Sequence, residues 1–426
     1  MAFLGASRRA LPPPAVSPSS WPSPCSRRPR AAPRPRPLSS SARPDARPDP
    51  RSPQEPVEAA GPQPRLALTY DGGILVVDAE DGEVLADEPV DGFTRLSPAG
   101  DGRHLFVSGP GGFTALDLGS WTEAHGDHGH SYAGTPRLTT YTVEAEAPGH
   151  VVPHAGGVTL FDDGTGRYQT LDLEDRGDLD DRRPRLRSGA VPRAHHGLAV
   201  ELDARTVLHT VGDERSRDGV RVVDASGAVL TESRDCPGIH GETFAGEVAV
   251  LGCEDGVLLV EQDRIRKVDS PDRYGRIGNQ AGHERSAYVL GDYKSDPEAE
   301  LERPTRVSVV DTRDASLRLV DLPASYSFRS LGRTPGGDGL VLGTDGALHV
   351  IDVRGAQVRR SVPVTQPWRE PTDWQEPRPT LFVAGDRAYV TEPAGQELHV
   401  VDLGTLEVVA THALPQTPNE LSGTAG

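Results

Sequence analysis

Three cysteines and one methionine are all the sulfur in this chain of 426 residues, and no two cysteines form a Cys-x-x-Cys pair. That spacing argues against thiolate ligation of a metal. No run approaches the 18 or so consecutive apolar residues of a membrane-spanning helix, so such a span is excluded. The first 64 residues lack the apolar core of about 7–15 residues that a secretory signal needs. Cys25, in Ser-Pro-Cys-Ser, lacks the apolar lead-in of a lipoprotein site. Also missing are a Gly-x-Ser-x-Gly elbow, a phosphate loop, a dinucleotide fingerprint and a Ser-His-Asp spacing. Positive charge is short: 45 Lys and Arg stand against 63 Asp and Glu, a net charge of −18. An acidic chain of this kind is a poor partner for nucleic acid.

What is present is turn chemistry. Hydrophobic residues make up only 35%, while Gly and Pro number 47 and 39, a balance that suits an all-β protein of many short strands. Residues 1–64 stand apart, with ten arginines against four acids and no periodic apolar pattern, and are expected to be disordered. They are either a genuine basic tail or a wrongly assigned start. The second reading is favoured because the remainder has an extracytoplasmic character.

From residue 65 to 426 one unit recurs. Alternating strands end in two apolar residues and an acid, at Asp78, Asp117, Asp172, Asp224, Glu261, Asp311, Asp352 and Asp402, at intervals of 37 to 55 residues. Repeats of about 40–50 residues with three or four strands each are the signature of a β-propeller. The count gives eight blades, with seven as the alternative. The acids are read as acceptors for turn amides, not as catalysts. The first unit is expected to begin at its innermost strand near Leu66. The C-terminal Gln-Thr-Pro-Asn-Glu-Leu-Ser-Gly is expected to help close the ring. Cys236 and Cys253 are 17 residues apart and are expected to form a disulfide, with two buried thiols as the alternative.

Histidine carries the functional signal. Residues 122–132 read Thr-Glu-Ala-His-Gly-Asp-His-Gly-His-Ser-Tyr, placing His125, Asp127, His128 and His130 within six positions. Imidazole nitrogens with a carboxylate oxygen are a ligand set for Zn²⁺. This run lies in the largest expected insertion, residues 121–149. Overlaying the repeats then places His150, His196 and His240 at matching lead-ins to innermost strands, 46 and 44 residues apart. Such lead-ins crowd around a propeller channel, so the three imidazoles should converge there. Asp127 or His128 is the expected fourth ligand, and His154 and His195 are candidates for alternative ligands or for partners of the ligands.

The segments Trp-Thr-Glu-Ala-His-Gly-Asp-His-Gly-His, Pro-Gly-His-Val-Val-Pro-His, His-His-Gly-Leu-Ala-Val-Glu-Leu, Cys-Pro-Gly-Ile-His-Gly-Glu and Tyr-Gly-Arg-Ile-Gly-Asn-Gln-Ala-Gly resemble those of the AztD-type zinc metallochaperones. The likeness covers about residues 65–426. It implies a periplasmic or cell-surface propeller that binds Zn²⁺ and hands it to the solute-binding protein of a zinc ABC transporter. By the same likeness these histidines and Asp127 would hold metal; dividing them into His125, Asp127, His128 and His130 for capture or transfer and His150, His196 and His240 for the tighter site is inferred and not part of the likeness. The expectation is therefore a monomeric, non-enzymatic zinc carrier. Its rivals are a propeller interaction scaffold without metal and, further off, a metal-dependent propeller hydrolase.

Overall fold

A computed structural model describes residues 56–173, 179 and 184–426; of the disorder expected over residues 1–64, the part over 1–55 lies outside that range, and Val57–Ala59 is a strand instead. Every regular element among the described residues is a β-strand. They form eight antiparallel four-stranded sheets and one three-stranded sheet. The third blade is typical: Pro148–His154, Gly157–Asp162, Arg167–Asp172 and Leu186–Ala190 pair in chain order from the channel outward. Buried apolar side chains alternate along the strands, and each blade packs its faces against two neighbours.

The blade count follows from that packing. Eight hydrophobic clusters are present, and each joins a different pair of neighbouring blades. Val220 and Val222 of the fourth blade meet Leu251 and Leu258 of the fifth. Leu66 and Leu68 of the first meet Leu398 and Val400 of the eighth. The other six clusters fill the remaining interfaces. Eight interfaces make a closed ring of eight blades, not seven.

Closure works as expected, but one strand assignment changes. Arg65–Tyr70 is the second strand of the first blade, and the innermost strand is Leu421–Thr424, with Leu68 opposite Leu421. Pairing the two ends of the ring in one sheet leaves neither as an open edge. Six of the eight strand-end acids behave as read. Asp78, Asp117, Asp224, Asp311, Asp352 and Asp402 each accept hydrogen bonds from backbone amides two to four residues on.

The folded part begins before residue 65. Val57–Ala59 pairs with His128–Ala133, which forms a hairpin with Ser120–His125. The insertion is accordingly smaller than 121–149, because Arg137–Glu144 is the outer strand of the second blade. Strand direction locates the hairpin. Strands alternate in direction, so every innermost strand starts at one mouth of the channel and every third strand ends at the opposite face. The hairpin springs from the third strand Gly112–Asp117. It is tied by Thr122 Oγ1 to the Gly426 carbonyl at 3.0 Å, just past the end of an innermost strand. It therefore lies across the ring from the mouth where His150 starts its strand.

The disulfide between Cys236 and Cys253 is formed, with Cα atoms 5.0 Å apart and both residues buried. It ties the lead-in that presents His240 to the end of the strand Val248–Cys253. Closing a loop of this length contributes about 3 kcal/mol. Replacing both cysteines with serine is expected to lower the urea midpoint accordingly. An unchanged midpoint would show that the crosslink constrains nothing.

Candidate metal centre

Three lead-ins bring His150, His196 and His240 to one mouth of the channel. Their ring centroids are 5.4, 5.6 and 5.2 Å apart, and one ligand nitrogen from each lies within 4.8 Å of the others. The other nitrogen of each ring is already engaged. His150 Nδ1 is 2.8 Å from Glu242 Oε2, His196 Nδ1 is 2.6 Å from Asp163 Oδ2, and His240 Nδ1 is 2.9 Å from the Gly278 carbonyl. A carboxylate or carbonyl can only accept, so Nδ1 of His196 and of His240 carries the proton and Nε2 keeps its lone pair, while His150 Nδ1 is held in an ion-pair contact with Glu242. Fixing tautomer and orientation through the far nitrogen is how proteins prepare histidines for zinc.

Local backbone supports the placement. Asp163 follows the second strand of the third blade and also accepts from Gly197 N at 3.1 Å, so it positions both the His196 ring and the loop that carries it. Gly241 adopts φ +73° at a bulge between His240 and Glu242. A Cβ there would lie 2.4 Å from the Gly278 carbonyl oxygen that holds His240, so glycine is required.

Electrostatics separates the three rings. Burial, with His150, Arg276 and His196 nearby, pulls the His240 pKa down to about 3, which keeps this imidazole neutral and able to ligate. Burial also lowers that of His150, but the Glu242 carboxylate, helped by Asp163, more than offsets it, and the net shift is upward. The His240 shift has a stability consequence. Its folded-state pKa lies below that of the unfolded imidazole, so the unfolded chain binds more protons as pH falls from about 6.5 toward 3. The metal-free fold should lose stability across that window, by an amount on the order of 4 kcal/mol at its acid end. His150 acts in the opposite sense. Urea titrations should show a flatter acid limb for His240→Gln; an acid limb as steep as the native one would mean that His240 does not titrate this way.

The second cluster is at the hairpin tip. His125 stands directly opposite His128, and His130 lies on the same face, with ring centroids 5.0 to 5.6 Å apart. Gly126 has φ +64° at the first position of a two-residue turn, where a primed hairpin turn needs glycine. His128 Nδ1 is 3.2 Å from Asp127 Oδ1, and His130 Nδ1 is 2.7 Å from Glu58 Oε1. Below the tip, Trp121 stacks on Tyr132, and the Arg103 guanidinium lies 3.9 Å over the indole. This base is packed, and the histidines above it face solvent.

Two expectations need correction. Asp127 and His128 do not complete the channel site. The hairpin leaves the opposite face, and the strand Arg137–Glu144 intervenes before His150. His154 and His195 do not join the triad either. His195 is buried with both nitrogens engaged, by the Arg193 carbonyl and Thr210 Oγ1, and His154 stacks face to face on Phe244 at 3.8 Å. Sequence reasoning missed Asp163, Glu242 and Glu58. Glu242 stands two residues after His240, the one available hint; Asp163 and Glu58 left none.

A propeller with two clusters of three histidines, each able to hold a metal ion, defines a class: a β-propeller with candidate metal sites. No family model matches the chain. It is 29% identical over 365 residues to the zinc chaperone AztD of Citrobacter koseri, covering 83% of this chain and 84% of that protein. The crystal structure of C. koseri AztD superposes with a TM-score of 0.76 at 27% identity, over 86% of this chain and 99% of that one. The structure of apo AztD from C. koseri gives 0.74 at 26%, over 86% and 100%. Dihydro-heme d1 dehydrogenase NirN shares the fold alone, with a TM-score of 0.53 at 13% identity over 85% of this chain and 76% of that one. The chain resembles the AztD zinc chaperones in both sequence and fold.

Proposed function

We propose that this protein is a zinc chaperone that holds Zn²⁺ between His150, His196 and His240 and passes it to the solute-binding protein of a zinc ABC transporter. One observation carries the reading: three neighbouring blades each offer one free imidazole nitrogen whose partner nitrogen is fixed by an acceptor. The name of the C. koseri relative supports zinc as the metal. The disulfide fits an oxidising, extracytoplasmic compartment. No helix among the described residues is long and apolar enough to cross a membrane.

Three histidines facing an open position also describe a catalytic zinc, so zinc-dependent hydrolysis is the second reading. Cargo is favoured because the carboxylates beside the triad, Asp163 and Glu242, are committed to orienting it and are poor general bases. Ester hydrolysis that appears with zinc and disappears in the triad variant would reverse that preference.

The exposed hairpin is suited to exchange, since its tip can share a metal with an incoming protein. Deleting residues 125–130 is expected to slow zinc transfer to the recipient several-fold while the tight affinity of the channel stays unchanged. Stopped-flow transfer kinetics check this, and an unaltered rate would leave the tip without a role in handover. Zinc should also be released on acidification, beginning with protonation of His150, because only neutral imidazole ligates.

A further inference from the structure

The channel triad supplies three nitrogens, and among the described residues no fourth His, Cys or carboxylate joins the cluster. Zinc held there would keep one position facing a cavity of about 660 Å³. The chemistry of that cavity is unusual for a cation site. Arg95, Arg276 and Lys294 line it together with the carboxylates of Asp163 and Glu242, which are already paired with His196 and His150, in a chain whose net charge is −18. Arg276 and Lys294 are held side by side by reciprocal backbone hydrogen bonds of 2.8 and 2.9 Å. Neither side chain forms an ion pair among the described residues. Arg95 is only 3.5 Å from Glu420, which already pairs with Arg329 at 2.6 Å. The three cations outnumber the two carboxylates, and that excess of positive charge beside a zinc site opposes loading unless an anion accompanies the metal. The side-chain amide of Gln280 lines the same cavity, with both its polar atoms buried and unpartnered.

Resting on the zinc reading above, we propose that the fourth ligand of the channel zinc is a carboxylate from outside this chain, held by Arg276 and Lys294. A carboxylate oxygen is an ordinary zinc ligand, and the second oxygen matches the planar donors of a guanidinium. The rest of the wall favours an organic anion over a bare inorganic one. Phe328 and Trp374 face the cavity, and Trp374 is held at its rim, half exposed, by an edge-on contact with Phe93 at 5.0 Å. The carboxylate belongs either to a small molecule or to an Asp or Glu of a docking protein. Either source also gives zinc a route out, because removing the anion restores the repulsion from the two cations.

The test is zinc affinity of the full chain, measured with a carboxylate-free chromogenic chelator in nitrate buffer, then with acetate, then with a capped peptide bearing one Asp. Acetate is expected to tighten zinc binding by about tenfold, the order of one charge-assisted contact. A response to the peptide but not to acetate supports the same chemistry and assigns it to a docking protein. The double variant Arg276→Met, Lys294→Met should bind zinc more tightly than the native chain in nitrate and lose the carboxylate response. A native chain indifferent to both probes, or a variant with the full response, overturns the proposal while leaving zinc binding in place. A chain with no tight zinc binding in any buffer overturns the zinc reading itself, and this proposal with it.

Discussion

Replacing His150, His196 and His240 together with alanine is expected to abolish tight zinc binding, a loss of about a thousandfold or more in competition with a chelator. Three of the ligands of a four-coordinate ion are removed, and the remaining carboxylates were placed to orient imidazoles, not to ligate. The fold should survive. The triad lies at strand lead-ins facing the channel, outside the eight interblade clusters that hold the ring together. A weaker zinc should persist at His125, His128 and His130, so the variant separates the two clusters by affinity. Retention of full affinity would move the tight site elsewhere.

The second large effect concerns residues that touch no metal. Asp163→Ala and Glu242→Ala should each weaken zinc binding by about 10–100-fold, the usual cost of removing the group behind a zinc-bound imidazole. Without its acceptor the ring is free to rotate or take the other tautomer, presenting N–H where a lone pair is needed. Asp163→Ala should be the more damaging of the two, because its carboxylate also holds the amide of Gly197 beside His196. Asp163→Asn keeps an acceptor and should recover part of the loss. His240 relies on a backbone carbonyl, so its orientation does not depend on either acid. Isothermal titration at constant pH reads these differences. Equal, small effects at both positions would mean that the acids only solvate the channel.

The histidines of the triad were legible in the sequence because repeat phase is a spatial coordinate in a propeller. Residues at one phase in adjacent blades must face one another, so spacings of 46 and 44 were enough. The hairpin was legible as a cluster but not as a location. Its position depends on which strand end it leaves, and strand endings alone did not show that Arg137–Glu144 lies between it and His150. The first blade was misassigned for a related reason, since its innermost strand comes from the far end of the chain. Asp163 escaped notice among many surface acids. Its role rests on contacts across two blades, to His196 at 2.6 Å and to the Gly197 amide at 3.1 Å, 33 and 34 residues away. Glu58 fell within a segment whose composition reads as disordered, and the strand that carries it exists because the hairpin offers an edge to pair with.

Diffraction from zinc-loaded crystals, collected on both sides of the zinc absorption edge, tests the channel site most directly. The expected result is one strong anomalous peak bonded to Nε2 of His150, His196 and His240, with Glu242, Asp163 and the Gly278 carbonyl still on the far nitrogens. A strong peak at the hairpin tip with none between the three channel histidines would contradict it.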